Sequence, residues 1–283
     1  MWAADSNIAI SGTKRRYLGQ GSYGAGNRAI FLKVVDLRLC LIGTAAGVLY
    51  RIKQELPMIT IFYLHQYDES MRIRWHGHSC FEFIDNENSV LMDPHDGKSI
   101  GIKPPISNAG IVVVSHDHFD HNALRVIKNE HSTLFTLKGK HEIKGIEFEG
   151  FPSFHDDSQG SIRGSNTIYK FTMDGISICH CGDLGAIPSE EVLAALKNVD
   201  IIFVPVGEVY TFPLSAAKEF LRLINPQIIV PMHYRVGGLT IPLKTLEEFL
   251  ADVPPDNILY VGNEVELTSE DIFEFSGIWV FDR

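Results

Sequence analysis

The sequence predicts a layered α/β fold in which polar chemistry gathers at the ends of buried strands. Residues 111–114, 201–206 and 228–232 form continuous apolar runs, which are typical of strands buried on both faces of a sheet. Segments with helical spacing follow the strands. Strand-like stretches also lead directly into titratable residues: His116, Asp183 and His233. Because loops at strand ends converge on one crevice in layered α/β proteins, these residues are candidates for a single site.

Three early strands are predicted from residue 71 onward. The stretches RIRW, CFEFI and SVLMD are apolar or alternating and are separated by Gly-rich or Asn-rich turns, which is the pattern of short strands. The motif-bearing turn at residues 115–122 then follows the first continuous apolar run.

Helices are predicted at four places. Residues 122–129 have apolar positions at helical spacing, and Ser189 opens a helix that runs through Lys197. Ser215 opens a third, which Asn225-Pro226 ends. Thr245 and Glu248 have the spacing of a capping box at the start of the fourth.

Composition is that of an ordinary soluble globular protein. Of 283 residues, 45% are hydrophobic and 21% are charged, and the formal net charge is −10. That acidic balance disfavours a nucleic-acid backbone as the partner. Four cysteines are too few for a dense disulfide framework, so we expect a reducing cytoplasm. Cys179-His180-Cys181 lies in a strand-like run and has no second cysteine pair, so we interpret it as structural.

The first 70 residues differ from the rest in charge. They hold 8 Lys+Arg and 5 Asp+Glu, against 17 and 30 in residues 71–283. Residues 19–27 are Gly-rich but lack the ending of a P-loop. The apolar run at 39–50 is shorter than the ~20 residues of a membrane-spanning helix, so no membrane association is expected. We therefore expect residues 1–70 to be an N-terminal extension, disordered or added from an upstream start codon, and residues 71–283 to be the functional domain.

The turn SHDHFDHN at residues 115–122 carries an H-x-H-x-D-H pattern formed by His116, His118, Asp120 and His121. Imidazole and carboxylate groups are the ligands of Zn²⁺ and related divalent ions. His116 and His118 can project the same way from an extended segment. Asp120 suits the start of a following helix. Four such close ligands cannot easily serve one tetrahedral ion, so two ions, each completed from elsewhere, are the more natural interpretation.

Three distant segments offer the missing ligands. FPSFHDDSQG supplies His155 after a strand-like stretch, HCGDLG supplies Asp183 between two glycines, and VPMHY supplies His233 at the end of a buried strand. A lone histidine is more often an ordinary core or surface residue, as we expect for His131 and His141, which no motif surrounds. An ordinary structural role does not explain why all seven candidate ligands have residue types suited to binding metal.

These segments resemble the metallo-β-lactamase superfamily. The motifs WHGHSCFEF, DPHDG, SHDHFDHN, GSIRGSN, CHCGDLG, VPVGEVYT and VPMHYR are similar, more narrowly, to the small metal-dependent hydrolases that include L-ascorbate-6-phosphate lactonase. The resemblance covers roughly residues 71–265. It implies an αββα four-layer sandwich, in which two mixed β-sheets are flanked by helices. It also implies a hydrolytic site at one edge, between the sheets.

The resemblance gives each candidate ligand a role. It implies that one ion is held by His116, His118 and His155, and a second by Asp120, His121 and His233, with the Asp183 carboxylate bridging them. We expect Zn²⁺, with Mn²⁺ or Fe²⁺ as alternatives. Asp120 is the expected catalytic residue, which orients the nucleophile or moves its proton. Asp93 is expected either to accept a hydrogen bond from a ligand histidine or to cap the turn before Pro94. His78 is expected near the site without being a ligand.

The substrate is expected to be a small anion with an ester, lactone or phosphodiester bond. Residues that follow the site positions in the chain are the candidates for binding it: Arg163, Asn166, Tyr210, Tyr234 and Arg235. The alternative for each is an ordinary surface or packing residue. An arginine can hold a phosphate or carboxylate in bidentate fashion. A homo-oligomer is compatible with the sequence.

Three other functions are weaker interpretations. A nuclease or nucleotide phosphodiesterase of the same fold is disfavoured by the acidic body and by the lack of a basic arm. The di-iron oxidoreductase branch of the superfamily resembles H-x-E-x-D, whereas this chain has His118 at the second position. A non-catalytic metal-binding protein would be favoured by missing ligands, and every motif position is filled.

Overall fold

The structure is a computed structural model that describes residues 70–282. The expected extension, with its Gly-rich segment and its apolar run, lies outside the described residues except for Ser70, so the domain boundary stays a prediction. In the described part of the chain, no helix is long and apolar enough to cross a membrane.

Six strands form the first sheet. They are β1 (Ser70–Gly77), β2 (Cys80–Ile84), β3 (Ser89–Met92), β4 (Ile111–Val114), β5 (Ser132–Phe135) and β13 (Glu264–Thr268). Their order is β13-β1-β2-β3-β4-β5. The pairs from β13 to β3 are antiparallel, and those from β3 to β5 are parallel. This confirms the three early strands predicted from the sequence.

Eight strands form the second sheet. They are β6 (Gly139–Ile143), β7 (Ile146–Phe154), β8 (Ser165–Met173), β9 (Ile176–His180), β10 (Ile201–Pro205), β11 (Ile228–Met232), β12 (Ile258–Gly262) and β14 (Gly277–Phe281). Their order is β12-β14-β11-β10-β9-β8-β7-β6. β12, β14, β11, β10 and β9 pair in parallel, and the other pairs are antiparallel. β10 is buried throughout, as its unbroken apolar sequence predicts.

The two sheets pack face to face through an aromatic core. Phe81 of the first sheet lies 4.6 Å from Phe203 of the second, measured between ring centroids, and 5.5 Å from Phe281. Phe83 packs edge-on against Phe171 at 5.2 Å. Edge-to-face contacts at these distances add about 0.5–1.5 kcal/mol each to the burial of the rings. The predicted class, two mixed sheets in an α/β sandwich, is confirmed.

Helices are few, and two predicted helical features are wrong. The α-helices are α1 (Glu190–Leu196), α2 (Leu214–Ile224), α3 (Leu246–Leu250) and α4 (Asp271–Glu274). α1 begins after Ser189, whose side chain accepts the Val192 N–H as predicted. Thr245 makes no side-chain cap for α3, and Glu248 pairs with Lys244 at 3.2 Å instead. The predicted capping box is therefore absent.

The expected helix at residues 122–129 is only a 3-10 turn, Leu124–Val126. Hydrogen bonds to other segments take the place of helical ones. The Ala123 N–H bonds to the Pro94 carbonyl at 2.8 Å, and the Asn129 amide bonds to the Ala109 carbonyl at 2.9 Å. These contacts outweigh weak local propensity. The turn still covers the outer face of the first sheet, where Ile127 packs with Leu91 and Val112 in a small second core.

Candidate metal centre

The fold brings the predicted ligand residues to one edge, each at the end of a strand. His155 follows β7 and His233 follows β11 directly. The H-x-H-x-D-H segment begins two residues after β4, and Asp183 lies three residues after β9. Because β4 belongs to the first sheet and the others to the second, the site forms between the two sheets.

A first group of donor atoms consists of His116, His118 and His155. Their ring nitrogens lie within 4.8 Å of one another. Ring centroids are 4.6 Å apart for His116 and His118 and 4.8 Å apart for His118 and His155. His118 is half-buried, whereas the other two are buried. Three imidazoles at this spacing are a suitable ligand set for Zn²⁺.

A second group consists of His78, Asp120, His121 and His233, whose ligand atoms also lie within 4.8 Å of one another. All four side chains are buried. His78 lies in the turn between β1 and β2 with a φ of 56°, and its Nε2 is 3.1 Å from Asp120 Oδ2. The sequence placed His78 near the site, and the structure puts it in direct contact with a predicted ligand.

The Asp183 carboxylate lies between the two groups. Its Oδ2 is 3.2 Å from His155 Nε2 and 3.0 Å from His233 Nε2. Its Oδ1 is 3.3 Å from His121 Nε2. One carboxylate therefore faces histidines of both groups, which is the position that a bridging ligand needs.

Hydrogen bonds behind the histidines fix how the rings face the site. Asp93 Oδ2 lies 3.0 Å from His121 Nδ1 and accepts the Ser115 hydroxyl at 2.7 Å. His155 Nδ1 donates to the Tyr210 carbonyl at 3.0 Å. With a hydrogen bond made at Nδ1, each ring presents its Nε2 to the site. This is the arrangement expected for Asp93 from the sequence.

Several buried polar atoms at the centre lack hydrogen-bond partners within residues 70–282. They include His116 Nε2, His121 Nε2 and Asp183 Oδ1. Unpaired buried polar atoms are rare and costly in proteins, about 1–3 kcal/mol each. Here they are imidazole nitrogens and a carboxylate oxygen that converge on a common space. The donor set therefore fits divalent metal ions.

Electrostatics keep the carboxylates charged. Burial alone would raise the pKa of Asp183, but His121 and His233 outweigh it and hold that pKa well below its usual value. Burial likewise opposes the charge of His121, but Asp183 and Asp120 raise the pKa of His121 well above its usual value. Burial and the neighbouring His233 lower the pKa of His78 to about 4. Neutral His78 therefore donates its Nε2–H to Asp120 rather than pairing as a cation.

The loop that carries Asp183 is tightly fitted. Asp183 N–H donates to Asn166 Oδ1 at 3.1 Å, and the Asn166 amide donates to the Cys181 carbonyl and to Ser153 Oγ, both at 2.8 Å. Gly182 has a φ of 56°, and a Cβ there would overlap Asn166 Oδ1. Asn166 therefore positions the carboxylate.

A cavity of about 550 Å³ opens beside the two donor groups. Arg163 and Tyr210, two of the predicted substrate-binding residues, line it. Asn166 is fully buried, and Tyr234 packs its ring on Trp75 at 5.7 Å, so neither lines the cavity. Arg235 is exposed and also lies outside the lining. In the structure two of these side chains are used in packing and the third faces solvent, so their assignment to substrate binding stays a prediction.

Sequence reasoning missed other lining residues, which are Ser99, Phe119, Thr240, Ile241 and Pro242. They come from the loop after β3, the metal-binding turn and the segment before α3, none of which carries a recognisable binding motif. Only their folding onto the mouth of the site reveals them.

A strained turn connects the cavity to the metal centre. Glu208 and Val209 both have positive φ, 48° and 56°, which is unusual for any residue but glycine and costs about 1–3 kcal/mol each. This geometry presents the Val209 carbonyl to Arg163 Nη2 at 3.5 Å and the Tyr210 carbonyl to His155. One turn therefore orients a predicted metal ligand and a lining arginine together.

Comparison with known proteins identifies the family. A model described as the beta-lactamase superfamily domain matches residues 72–233. This chain belongs to the metallo-β-lactamase superfamily. A UPF0173 metal-dependent hydrolase of Thermoplasma acidophilum is 31% identical over 195 residues, which cover 60% of this chain and 86% of that protein. A relative of the same name from Archaeoglobus fulgidus is 26% identical over 198 residues, covering 60% and 85%. Within the superfamily, these relatives place the chain in the UPF0173 branch of metal-dependent hydrolases.

A solved structure supports the same placement. A Thermotoga maritima protein assigned to the metallo-β-lactamase superfamily as a Zn-dependent hydrolase superposes with a TM-score of 0.60. It is 31% identical, and the match covers 75% of this chain and 98% of that one.

Proposed function

We propose that this metallo-β-lactamase superfamily member hydrolyses an ester, lactone or phosphodiester bond of a small anionic substrate at a centre that holds two divalent ions. The observation that carries the proposal is the position of Asp183 between two separate donor groups. One ion would be held by His116, His118 and His155. The other would be held by Asp120, His121 and His233, with Asp183 shared.

Zn²⁺ suits this set of nitrogen and oxygen ligands, and Mn²⁺ and Fe²⁺ are the alternatives. Two such ions, when bound, supply a hydroxide near neutral pH and stabilise negative charge on the substrate. The protein's own contribution is to hold the ligand rings by hydrogen bonds from behind and to keep Asp120 and Asp183 ionised.

Asp120 is the residue we assign to orienting the nucleophilic water and holding its proton. Its Oδ2 accepts the His78 Nε2–H at 3.1 Å, which fixes the carboxylate, and the residue also lines the cavity. Among the residues of that lining, Arg163 supplies the positive charge for an anionic group of the substrate. The reacting bond would thus lie between Arg163 and the metal centre.

The finer resemblance, to L-ascorbate-6-phosphate lactonase, makes a phosphorylated lactone one candidate substrate. The two features that favour it are the arginine and the hydrolytic centre on one cavity. We also propose that the enzyme acts in the cytoplasm without a membrane or nucleic-acid partner. A homo-oligomer remains compatible with this proposal.

His118→Ala is expected to reduce the metal content of the full-length protein from about two ions per chain to about one. His118 serves only the first donor group, and because it is half-buried its loss leaves the core intact. Elemental analysis after reconstitution with Zn²⁺ measures the change, together with hydrolysis of a generic phosphodiester and a lactone panel.

His141→Ala is the matched control, because His141 lies on β6 and its ring bonds to the Lys138 carbonyl rather than to the centre. Equal metal content in the two variants would contradict the assignment. A parent protein that takes up no ion would favour a function without catalytic metal.

Asp120→Ala is expected to lower kcat by about 100-fold or more, since a positioned acid-base group contributes about that much. The change also removes a ligand, so metal content is measured on the same sample. Asp117→Ala is the control, because Asp117 is exposed and bonds to Asn122 rather than to the centre. Full activity with full metal content in Asp120→Ala would show that the role is wrong.

A further inference from the structure

The cavity beside the metal centre has an apolar wall. Phe119, Tyr210, Ile241 and Pro242 line it, and its volume is about 550 Å³. That volume is in the range of sites for small organic molecules. Phe119 is 58% exposed although it lies between two predicted metal ligands. Together with Ile241 and Pro242, Phe119 gives the lining an apolar part that an apolar group of the substrate can contact.

Arg163 is the one arginine or lysine among the described residues that line this cavity. Four other described arginines pair with carboxylates, namely Arg72, Arg74, Arg125 and Arg222. No carboxylate pairs with Arg163 anywhere in residues 70–282. Its charge at the site is therefore not neutralised by the protein.

Arg163 is also held in place. Its backbone N–H donates to Asp156 Oδ2 at 2.7 Å, and the same carboxylate accepts the Ile162 N–H at 3.0 Å. Its guanidinium carbon lies 5.6 Å from the centre of the Tyr210 ring. The guanidinium also makes a long contact from Nη2 to the Val209 carbonyl at 3.5 Å, which leaves its other N–H groups for a planar acceptor with two oxygens.

From this juxtaposition we infer that the substrate is an amphipathic monocarboxylate, whose carboxylate binds Arg163 and whose apolar group packs on the wall formed by Phe119, Ile241 and Pro242. The inference rests on the proposed hydrolytic function and narrows its substrate class. It makes a carboxylate-bearing ester or lactone a better substrate than a sugar phosphate.

Charge favours a single anionic group. The lining offers one guanidinium, and its other titratable residues belong to the predicted metal centre, namely His118, Asp120, His155, Asp183 and His233. The hydroxyls of Ser99 and Thr240 add polarity without charge. Outside the residues that would hold the metal ions, Arg163 carries the one positive charge among the described residues of this lining, and one carboxylate matches one guanidinium.

Binding to the Zn²⁺-loaded full-length protein tests the inference directly. The probes are 4-phenylbutyrate, the matched neutral 4-phenylbutanol, and phenyl phosphate. The dissociation constant of each is measured by calorimetry. The parent is expected to bind 4-phenylbutyrate most tightly. Arg163→Gln is expected to weaken the binding of the carboxylate probe alone, by about 10- to 100-fold. That is the usual effect of losing a charged hydrogen bond.

Ile241→Ala is expected to weaken the binding of both 4-phenylbutyrate and 4-phenylbutanol by about threefold to tenfold, because it removes apolar contact and no charge. Arg222→Gln, on the surface of α2, is the control and is expected to bind all three probes as the parent does. If Arg163→Gln binds 4-phenylbutyrate as tightly as the parent, or if phenyl phosphate binds most tightly in the parent, the inference is overturned.

Hydrolysis separates this inference from the proposed function. Mono-4-nitrophenyl glutarate carries a free carboxylate, and 4-nitrophenyl butyrate is its neutral counterpart of similar length. The inference expects a kcat/KM about tenfold or more higher for the glutarate ester, and loss of that preference in Arg163→Gln. Equal hydrolysis of both esters would reject the substrate class and leave the hydrolase intact. Binding as expected, without hydrolysis of any ester, lactone or phosphodiester, would reject the hydrolytic proposal instead.

Discussion

Asp183→Asn is expected to abolish most of the hydrolytic activity, with a fall in kcat/KM of about a thousandfold. The substitution keeps the shape of the side chain and removes the one negative charge that faces histidines of both donor groups. Because that carboxylate would be shared by both ions, we expect metal affinity to fall at least about 100-fold. Metal titration and steady-state kinetics on the same preparation measure both effects.

Asp157→Asn is the matched control for this prediction. Asp157 is exposed and bonds to the neighbouring Ser158 hydroxyl, not to the centre. The control is expected to keep the metal content and activity of the parent. Unchanged metal affinity in Asp183→Asn would show that Asp183 is not a ligand, and the two donor groups would then have to act separately.

Gly185→Ala is expected to destabilise the protein by about 3 kcal/mol, at the upper end of the cost of overpacking. Gly185 is buried, and its N–H bonds to the Phe154 carbonyl at 2.8 Å. A Cβ there would overlap the backbone of His155 and Asp156, and backbone cannot move aside as a flexible side chain can. The loss is expected to lower Tm by roughly 6–12 °C.

The same overlap is expected to disturb the metal centre, because it would displace the His155 backbone and change the distance between His155 and Asp183. We therefore expect lower metal content in the surviving folded protein as well. Gly237→Ala is the control, since a Cβ at Gly237 meets nothing within 4 Å and its φ is not positive. It is expected to leave Tm unchanged or slightly raised. A Gly185→Ala protein with the Tm of this control would contradict the close packing described for the loop.

The strands and the ligand residues could be predicted because their signals are local. The runs IVVV, IIFVPV and IIVPM are apolar without interruption, and a backbone buried on both sides needs that pattern wherever the chain goes. His116, His118, Asp120 and His121 stand in one spaced motif, so their convergence needs no knowledge of distant residues. His155, Asp183 and His233 were found because each ends a strand-like stretch.

Other expectations failed where distant contacts decide. The 122–129 segment has helical spacing, but Pro94 and Ala109 supply its hydrogen bonds from elsewhere in the chain. Asn166 and Tyr234 follow site positions in the sequence, yet the fold uses Asn166 to hold the Asp183 loop and packs Tyr234 on Trp75. Sequence order alone does not distinguish a residue behind the site from one in its wall.

The sequence by itself determined the fold class, the residues able to bind metal and their division between one dense turn and three distant segments. Local apolar pattern and ligand chemistry predict a layered α/β fold and a metal site, and the resemblance to the metallo-β-lactamase superfamily implies the sandwich and the role of each ligand. Tertiary structure alone decided that His78 contacts Asp120, and that Arg163 lines the same cavity as Phe119 and Ile241 without a carboxylate partner in residues 70–282. These facts depend on how two sheets meet at one edge, because residues from both sheets are brought within a few ångströms only by the packing of the core.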